Sequence, residues 1–347
     1  MSDDYDDDDD EASGWQAIDG ALSRLYPNEK PQHYATPLTS RPMMGGRDPL
    51  DGFSVWKRLA PVPHWHFLTY GFSELYAKEN DEPQTSGYGF ELTLRLRCDA
   101  EDVEPPAWVF GLFQNMARYV FSSGNVFSEG EQMSANGPIA RDEPTAMTYV
   151  AFARDPELAP ITTPFGRLTF LQVVGLTEDE ADAARRWHIG KLLDIFGSVL
   201  PLLVTDLRRP SLLGRPEIRR SVDEGIARDG SSSGLLFVEQ LSWSCADGPT
   251  GRPTYTVTIG TSPIADLIAI LPLRLPFGRD LVLFGSNLVR LEPGEETSVA
   301  EESDGLVLRL SEPTARALSA TLKPEPGTYA VPGFDAVRWL VECRDSK

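Results

Sequence analysis

The chain has 347 residues, about a quarter of them charged, and a formal net charge of −20. Eight acids fall in the first eleven positions (Asp3, Asp4, Asp6 to Asp10, Glu11), so the body still carries −12. Nonspecific nucleic-acid binding and docking on anionic membranes both need clustered Lys and Arg, and this balance argues against them. The one dense basic cluster (Arg208, Arg209, Arg215, Arg219, Arg220) reads as a solvated helix face. The length exceeds what one hydrophobic core usually holds, which predicts two domains. Cys98, Cys245 and Cys343 are few and far apart, which fits a reducing compartment. No apolar run follows a basic start. The longest apolar run, Ile264 to Leu275, is interrupted by Asp266, Pro272 and Arg274 and is too short to span a bilayer. The expected location is the cytoplasm.

In chain order, residues 1–13 read as an acidic, disordered leader. Trp15, Ile18, Leu22 and Leu25 have helical spacing. Tyr26 to Pro42 is Pro-rich and reads as irregular, and Phe53 to Leu59 as a strand. Val62 to Tyr70, rich in aromatic and branched side chains, suits a strand buried on both faces. In GYGFELTLRLR (Gly87–Arg97), Phe90, Leu92, Leu94 and Leu96 alternate with Glu91, Thr93, Arg95 and Arg97, placing an apolar face against a core. Pro105-Pro106 opens a helix to about Phe121. Strands are expected at Met147–Ala153 and Thr163–Leu176. Thr177 and Glu180 form a T-x-x-E capping box before one helix to about Phe196, with Gly190 a weak point. Leu200–Leu207 reads as a compact buried strand, with Asp206 ion-paired locally to Arg208 and Arg209, and Pro216–Ala227 as a helix. The small polar stretch 228–234 is the expected linker.

Beyond it the chain turns strand-rich: Leu236–Trp243, Thr254–Ile259, Leu281–Phe284, Leu288–Leu291, Leu306–Leu310 and Val337–Val341, with helices at Pro263–Leu271 and Glu312–Leu322. The expected architecture is therefore α/β or α+β in two lobes. A leader (1–13) precedes an N-terminal lobe with a mixed sheet and helices (14–227), a hinge (228–234) and a smaller β-rich lobe (235–347).

The search for catalytic chemistry returns little. His64 and His66 share one side of a strand and offer half of a metal site, but no further His or Cys is close in sequence. A zinc site needs three or four ligands, so structural histidines are the favoured reading. Gly230 to Gly234 matches G-x-S-x-G by letters, yet a nucleophile elbow needs a strand before and a helix after, and here the order is reversed. No Walker A or dinucleotide glycine pattern occurs.

Several unusual strings then fall in one order: GGRDPLDGFSVW (Gly45–Trp56), HWHFLTYGFSELY (His64–Tyr76), GYGFELTLRLR, MARYVFSSGNVFSEGE (Met116–Glu131), TPFGRLTFLQVVGLTEDE (Thr163–Glu180), and LVTDLRRPSLL with VDEGIARDGSSSG (Leu203–Gly234). On these blocks the chain resembles the Suppressor of fused family over about residues 20–235, and more weakly through Asp304–Pro324. The resemblance implies a non-enzymatic, cytoplasmic regulator without a cofactor. Its animal members are negative regulators of Hedgehog signalling that grip an extended peptide of a transcription factor between two lobes, by strand addition. Its bacterial members resemble immunity proteins that neutralise a toxin.

Carried over residue by residue, the resemblance places the peptide site on Tyr119 (an aromatic wall with a hydroxyl), Glu131 and Asp229 (acceptors for a donor on the peptide) and Leu235 (the start of an edge strand). Glu131 stands where animal members carry Asp, and Leu235 where they carry Val. The expected partner is a protein or peptide, either a toxin or a transcriptional regulator. The alternatives are a metal-dependent enzyme built on His64 and His66, and a scaffold with no peptide cleft.

Overall fold

The computed structural model describes residues 12–247 and 252–343, so the acidic leader lies outside the described residues up to position 11. The chain divides into two units. One holds residues up to Ala181 together with Ile189–Ile218; the other holds Asp182–His188 together with Arg219 onward.

The first unit contains α1 (Ser13–Leu25), β1 (Gln32–Ala35), β2 (Gly52–Arg58), β3 (His64–Tyr70), β4 (Thr85–Arg97), α2 (Trp108–Ser123), β5 (Gln132–Ser134), β6 (Met147–Arg154), β7 (Ile161–Thr163) and β8 (Gly166–Thr177). After β8 come α3 (Glu178–Arg186), α4 (Ile189–Gly197) and α5 (Pro216–Asp229), of which α3 and α5 each run across the division into units. The eight strands form one sheet in the order β1-β2-β3-β4-β8-β6-β5, with β7 paired to β8. It is mixed, since β4 and β8 run parallel at its centre.

Both faces of this sheet are covered. Val109, Phe113, Met116, Ala117 and Val120 make one stripe of α2, which packs with Phe53, Phe67, Phe90, Leu92 and Leu94. On the opposite face Ile18, Ala21 and Leu22 of α1 pack with Leu68, Tyr70 and Phe170. That second face also carries the polar half of β4, because Glu91, Thr93 and Arg95 are fully buried. Arg95 makes a two-point pair with Asp155 (Nη1–Oδ2 2.6 Å, Nη2–Oδ1 3.1 Å) and reaches Glu157 at 2.9 Å. Thr93 Oγ1 donates to Asp155 Oδ2 at 2.7 Å, and the Glu157 and Leu158 N–H groups donate to Oδ1. Burial by itself raises the Asp155 carboxyl. Hydrogen bonding to His66 and the Arg95 guanidinium outweigh it and hold the group well below the usual carboxylate range.

The stretch expected as a strand at Leu200–Leu207 is instead a tight turn, Pro201–Leu203, followed by a single bridge from Thr205 to Leu96. Leu202 and Leu203 have φ of +54° and +51°, unusual for residues with a Cβ. Gln172 holds them there: its Nε2 donates to the Leu202 and Leu203 carbonyls at 2.8 and 3.2 Å, while its Oε1 accepts from Arg95. The Asp206 carboxylate ion-pairs with Arg97 (3.5 Å) and not with the side chains of Arg208 or Arg209, though its Oδ1 accepts the Arg208 main-chain N–H at 3.1 Å. Arg209 turns inward to Glu180 instead of facing solvent. The single helix expected to Phe196 is two helices, interrupted at Trp187-His188 and not at Gly190. Of the capping box, the Glu180 side chain accepts the Thr177 N–H at 3.0 Å, while the Thr177 hydroxyl turns to Asp179.

The second unit continues with β9 (Leu235–Phe237), β10 (Leu241–Asp247), β11 (Pro253–Gly260), α6 (Ile264–Ile270), β12 (Leu281–Phe284), β13 (Leu288–Pro293), β14 (Ser298–Glu302), β15 (Gly305–Leu310), α7 (Glu312–Thr321), β16 (Gly327–Ala330) and β17 (Val337–Glu342). Two sheets, β10-β11-β17-β16 and β14-β15-β13-β12-β9, share one apolar core with α6 and α7. The strand expected over Leu236–Trp243 is split between them, with β9 in one sheet and β10 in the other. The polar stretch 228–234 is built into this unit. Arg228 and Asp229 end α5, and Ser231 is fully buried, donating to the Arg185 carbonyl and accepting at its own carbonyl from Arg274 and Arg279.

Two predictions follow from the buried polar face. Asp155→Asn leaves the buried Arg95 with Glu157 as its remaining counter-charge and should cost about 3 kcal/mol in urea unfolding. The double variant Arg95→Met/Asp155→Leu should recover much of that loss; equal losses in both would place the cost in packing. Glu91 is buried with no cation paired to it among the described residues, and it accepts from Thr69 Oγ1, Gly71 N, Ser73 N and Ser73 Oγ. Burial lifts its pKa from 4.5 to about 7 against those hydrogen bonds. The folded state therefore binds the proton more tightly, and this contribution to stability is full below pH 4.5 and lost as pH rises through about 7. Glu91→Gln should flatten stability across that window relative to the parent protein, and an unchanged profile would refute the assignment.

Candidate functional site

Tyr119 and Glu131 lie in the first unit. Tyr119 sits on α2 beside the buried stripe and is 42% exposed. Its ring stacks on Phe127 (centroids 5.8 Å apart), and Phe127 stacks on Phe152 (4.3 Å). Its hydroxyl accepts from Asn125 Nδ2 at 3.2 Å. Glu131 closes the turn before β5. Its Oε2 accepts the Ser128 N–H at 2.9 Å, and its carbonyl accepts the Phe152 N–H at 2.9 Å. The aromatic stack and the turn thus share Phe152, which brings Tyr119 and Glu131 to one neighbourhood next to β5, a terminal strand of its sheet.

Asp229 and Leu235 lie in the second unit. Asp229 is the last residue of α5, and its Oδ2 accepts the Trp187 indole N–H at 2.9 Å. Arg228 Nε and Nη2 approach its two oxygens, each at 2.9 Å. The carboxylate therefore already has a structural duty, which its sequence neighbourhood did not reveal. Gly225 lets the helix meet the Trp187 indole: a Cβ there would lie 2.3 Å from the ring. Leu235 starts β9, the terminal strand of its sheet, and is 44% exposed.

Two residues of this region were missed in the sequence. Phe237 is 76% exposed, and Phe284, its register partner on β12, is half exposed. Their rings meet edge to face with centroids 5.9 Å apart. The signal was available in the period-2 alternation, since Leu236 points inward and Leu235 and Phe237 do not. A pocket of about 210 Å³ adjoins the strand, lined in part by Leu236, Phe237, Glu239 and Ser262.

His64 and His66 serve the buried polar face. His64 Nδ1 lies 2.7 Å from the Val62 carbonyl, and His66 Nδ1 2.5 Å from the Tyr26 hydroxyl. His66 Nε2 stands 3.5 Å from Asp155 Oδ2. Burial first, then the charge of Arg95, push the His66 pKa down to about 4, so the ring is neutral at pH 7. Among the described residues no group of three or more His, Cys, Asp or Glu is arranged to hold a metal ion.

The Suppressor of fused protein model matches residues 46–210, which span β2 to β8, α2 to α4 and the segment holding Arg209. Suppressor of fused homologs of Homo sapiens and Mus musculus are each 34% identical over 272 residues, 72% of this chain and 55% of theirs. The chain belongs to the Suppressor of fused family. It spans about half the length of the curated relatives it matches. The crystal structure of Drosophila Suppressor of Fused superposes with a TM-score of 0.78 at 20% identity, covering 95% of this chain and 97% of that one, so the fold is shared. A chain of the Sufu-Fu complex crystal structure superposes with a TM-score of 0.56 at 28% identity, over 62% of this chain and 97% of that one.

Asp229→Ala leaves the buried Trp187 N–H without an acceptor and should cost about 1–3 kcal/mol in urea unfolding. Asp229→Asn keeps an acceptor and should cost less. Equal losses would show that the carboxylate charge, and not the hydrogen bond to Trp187, carries the contribution.

Proposed function

We propose that this protein is a non-enzymatic, protein-binding regulator that holds an extended segment of a partner by strand addition. The observation that carries this reading is β9. It is a terminal strand with no charged residue, and it presents Leu235 and Phe237 to solvent beside the exposed Phe284. An added strand would take its main-chain groups, the two aromatic rings would grip its side chains, and the pocket beside Glu239 would select among them. Tyr119 and Glu131, next to the terminal strand β5, form the corresponding surface of the first unit, and Asp229 supplies an acceptor in the second.

Membership of the family supports a regulator, and the Sufu-Fu complex is an instance of a family member holding a protein partner. The partner proposed here is a protein, either a toxin neutralised by its immunity protein or a transcriptional regulator held inactive. Free cysteines at Cys98, Cys245 and Cys343 fit a reducing cytoplasm, and no helix among the described residues is long and apolar enough to cross a membrane.

The test is affinity capture from the source organism's extract, followed by binding of the captured protein to Leu235→Asp/Phe237→Ser and to Tyr119→Ala. Binding should weaken at least about 30-fold in the first variant, the weight of one interface hot spot, with the unfolding midpoint unchanged. Undiminished binding of both variants would move the site elsewhere. Asp229→Arg is a poorer probe, because it also removes the acceptor for Trp187.

A further inference from the structure

The sheet face that carries α1 leaves a group of polar atoms unmatched. Trp56 Nε1 and Arg58 Nη1 on β2, His64 Nε2 and His66 Nε2 on β3, and Arg95 Nε on β4 are closed to solvent and make no hydrogen bond among the described residues. Trp56, His64, His66 and Arg95 are each more than nine-tenths buried. The strand register sets the group side by side: Arg58 is opposite His64, Trp56 opposite His66, and His66 opposite Arg95. We propose that these side chains enclose a small monovalent anion, of the size of chloride, held chiefly by Arg58, His64 and Arg95.

The polar inventory selects the ligand. Trp56, Arg58 and Arg95 offer N–H groups that can only donate. A buried donor normally has an acceptor, so unmatched donors on neighbouring strands point to an acceptor that the chain does not supply. Charge points the same way. Asp155 and Glu157 are both held by Arg95, and no carboxylate pairs with Arg58 among the described residues. A partly exposed guanidinium with one buried, unmatched N–H suits an anion and leaves it a way in. Tyr26 shows that the groups converge. Its ring stacks on Trp56 (centroids 4.7 Å apart) and lies 5.2 Å from Arg58 Cζ, and its hydroxyl is 2.5 Å from His66 Nδ1. The atoms are closed to bulk solvent, which fits an ion of water size and not a peptide side chain.

His64 sets the condition for binding. A carbonyl can only accept, so Nδ1, 2.7 Å from the Val62 carbonyl, carries a hydrogen, and Nε2 of the neutral ring is an acceptor that opposes an anion. A proton taken from solvent turns Nε2 into a donor. It also balances the charge, since Arg58 and Arg95 are already offset by Asp155 and Glu157. Burial holds the His64 pKa below its usual value, helped by the charges of Arg95 and Arg58 and opposed by the Val62 carbonyl and Glu157. Of the remaining neighbours, His66 is neutral at pH 7, and Arg97, the register partner of His64 on β4, is paired with Asp206. An anion on Nε2 raises the His64 pKa, so anion and proton bind together.

The probe is chloride, titrated into the full-length ¹⁵N-labelled protein against gluconate at constant ionic strength, gluconate being too large for a closed site. The readouts are the Trp56 indole N–H, assigned with Trp56→Phe, and the His64 ring nitrogens. Both should shift together and saturate with chloride, and affinity should rise by up to about tenfold for each pH unit lowered from 8. Arg58→Met should weaken binding at least about tenfold, the weight of one hydrogen bond to a charged group. Arg58→Lys, which keeps the charge, should lose less, and it serves as the test if Arg58→Met does not fold. No saturable shift would mean that water meets these atoms and would overturn the site. Equal shifts in gluconate would reduce the effect to screening, and undiminished binding in both Arg58 variants would leave an adventitious ion only; either result overturns the proposal. Affinity independent of pH would remove His64 from the site.

Discussion

The pairing of Arg95 with Asp155 is the constraint on which the first unit depends. Both side chains are fully buried, and two charges withdrawn from water cost more than their attraction returns unless every remaining donor and acceptor is met. The fold meets nearly all of them. Asp155 gathers donors from Thr93 and from two main-chain N–H groups, and Arg95 reaches Glu157 and Gln172 as well. Gln172 passes the constraint on to Leu202 and Leu203, and Thr205 is clamped to β4 by main-chain bonds at Arg95 and Arg97. A one-residue slip between β4 and β8 would bury Arg95 away from Gln172. We infer that the pair acts through register more than through net stability, since a slipped sheet would hold an unpaired charge.

The second unit has a smaller counterpart at Trp187 and Asp229. The indole is buried, and the Asp229 carboxylate, the Ser231–Arg185 bond and the Ser232 N–H to the Trp187 carbonyl secure the 182–188 segment to the end of α5. This duty is compatible with a role in binding. The Arg228 side chain that spans both carboxylate oxygens is largely exposed, and such a pair is worth little in water. A donor from a partner can take the place of Arg228 without disturbing Trp187.

Much of this was legible in the sequence where local pattern and tertiary demand agree. The alternation in GYGFELTLRLR fixed the apolar face of β4, and the spacing of Ile18 and Leu22 located α1. The pattern failed where a distant residue decides. LPLLVTDL has the composition of a strand, but Pro201 and the Gln172 amide fold it into a turn. Arg209 carries the local signature of a solvated cluster, and only the fold brings Glu180 to it. For the candidate site, Leu235 was legible through resemblance. Phe237 and Phe284 were not singled out: the alternation puts Phe237 on the face opposite Leu236, but only the sheet order shows that β9 is the last strand and that Phe284 lies beside it on β12.

The terminal strands of the second unit differ in a way that bears on function. An exposed sheet edge invites pairing with other chains, and proteins usually guard it with charge or brevity. β14 carries Glu301 and Glu302, both exposed, which discourages an incoming strand. β9 is short, which limits promiscuous pairing, but it has no charge and adds two exposed side chains, Leu235 and Phe237, with Phe284 beside them. Apolar groups left in water on such a strand gain nothing for the folded monomer, whereas burying them against a partner is favourable in proportion to the area covered. The guarded edge and the unguarded edge lie at opposite ends of one sheet, so composition alone does not explain the difference. A strand that pairs only when a partner supplies side chains to fit between Phe237 and Phe284 would be both safe from random association and open to a specific one.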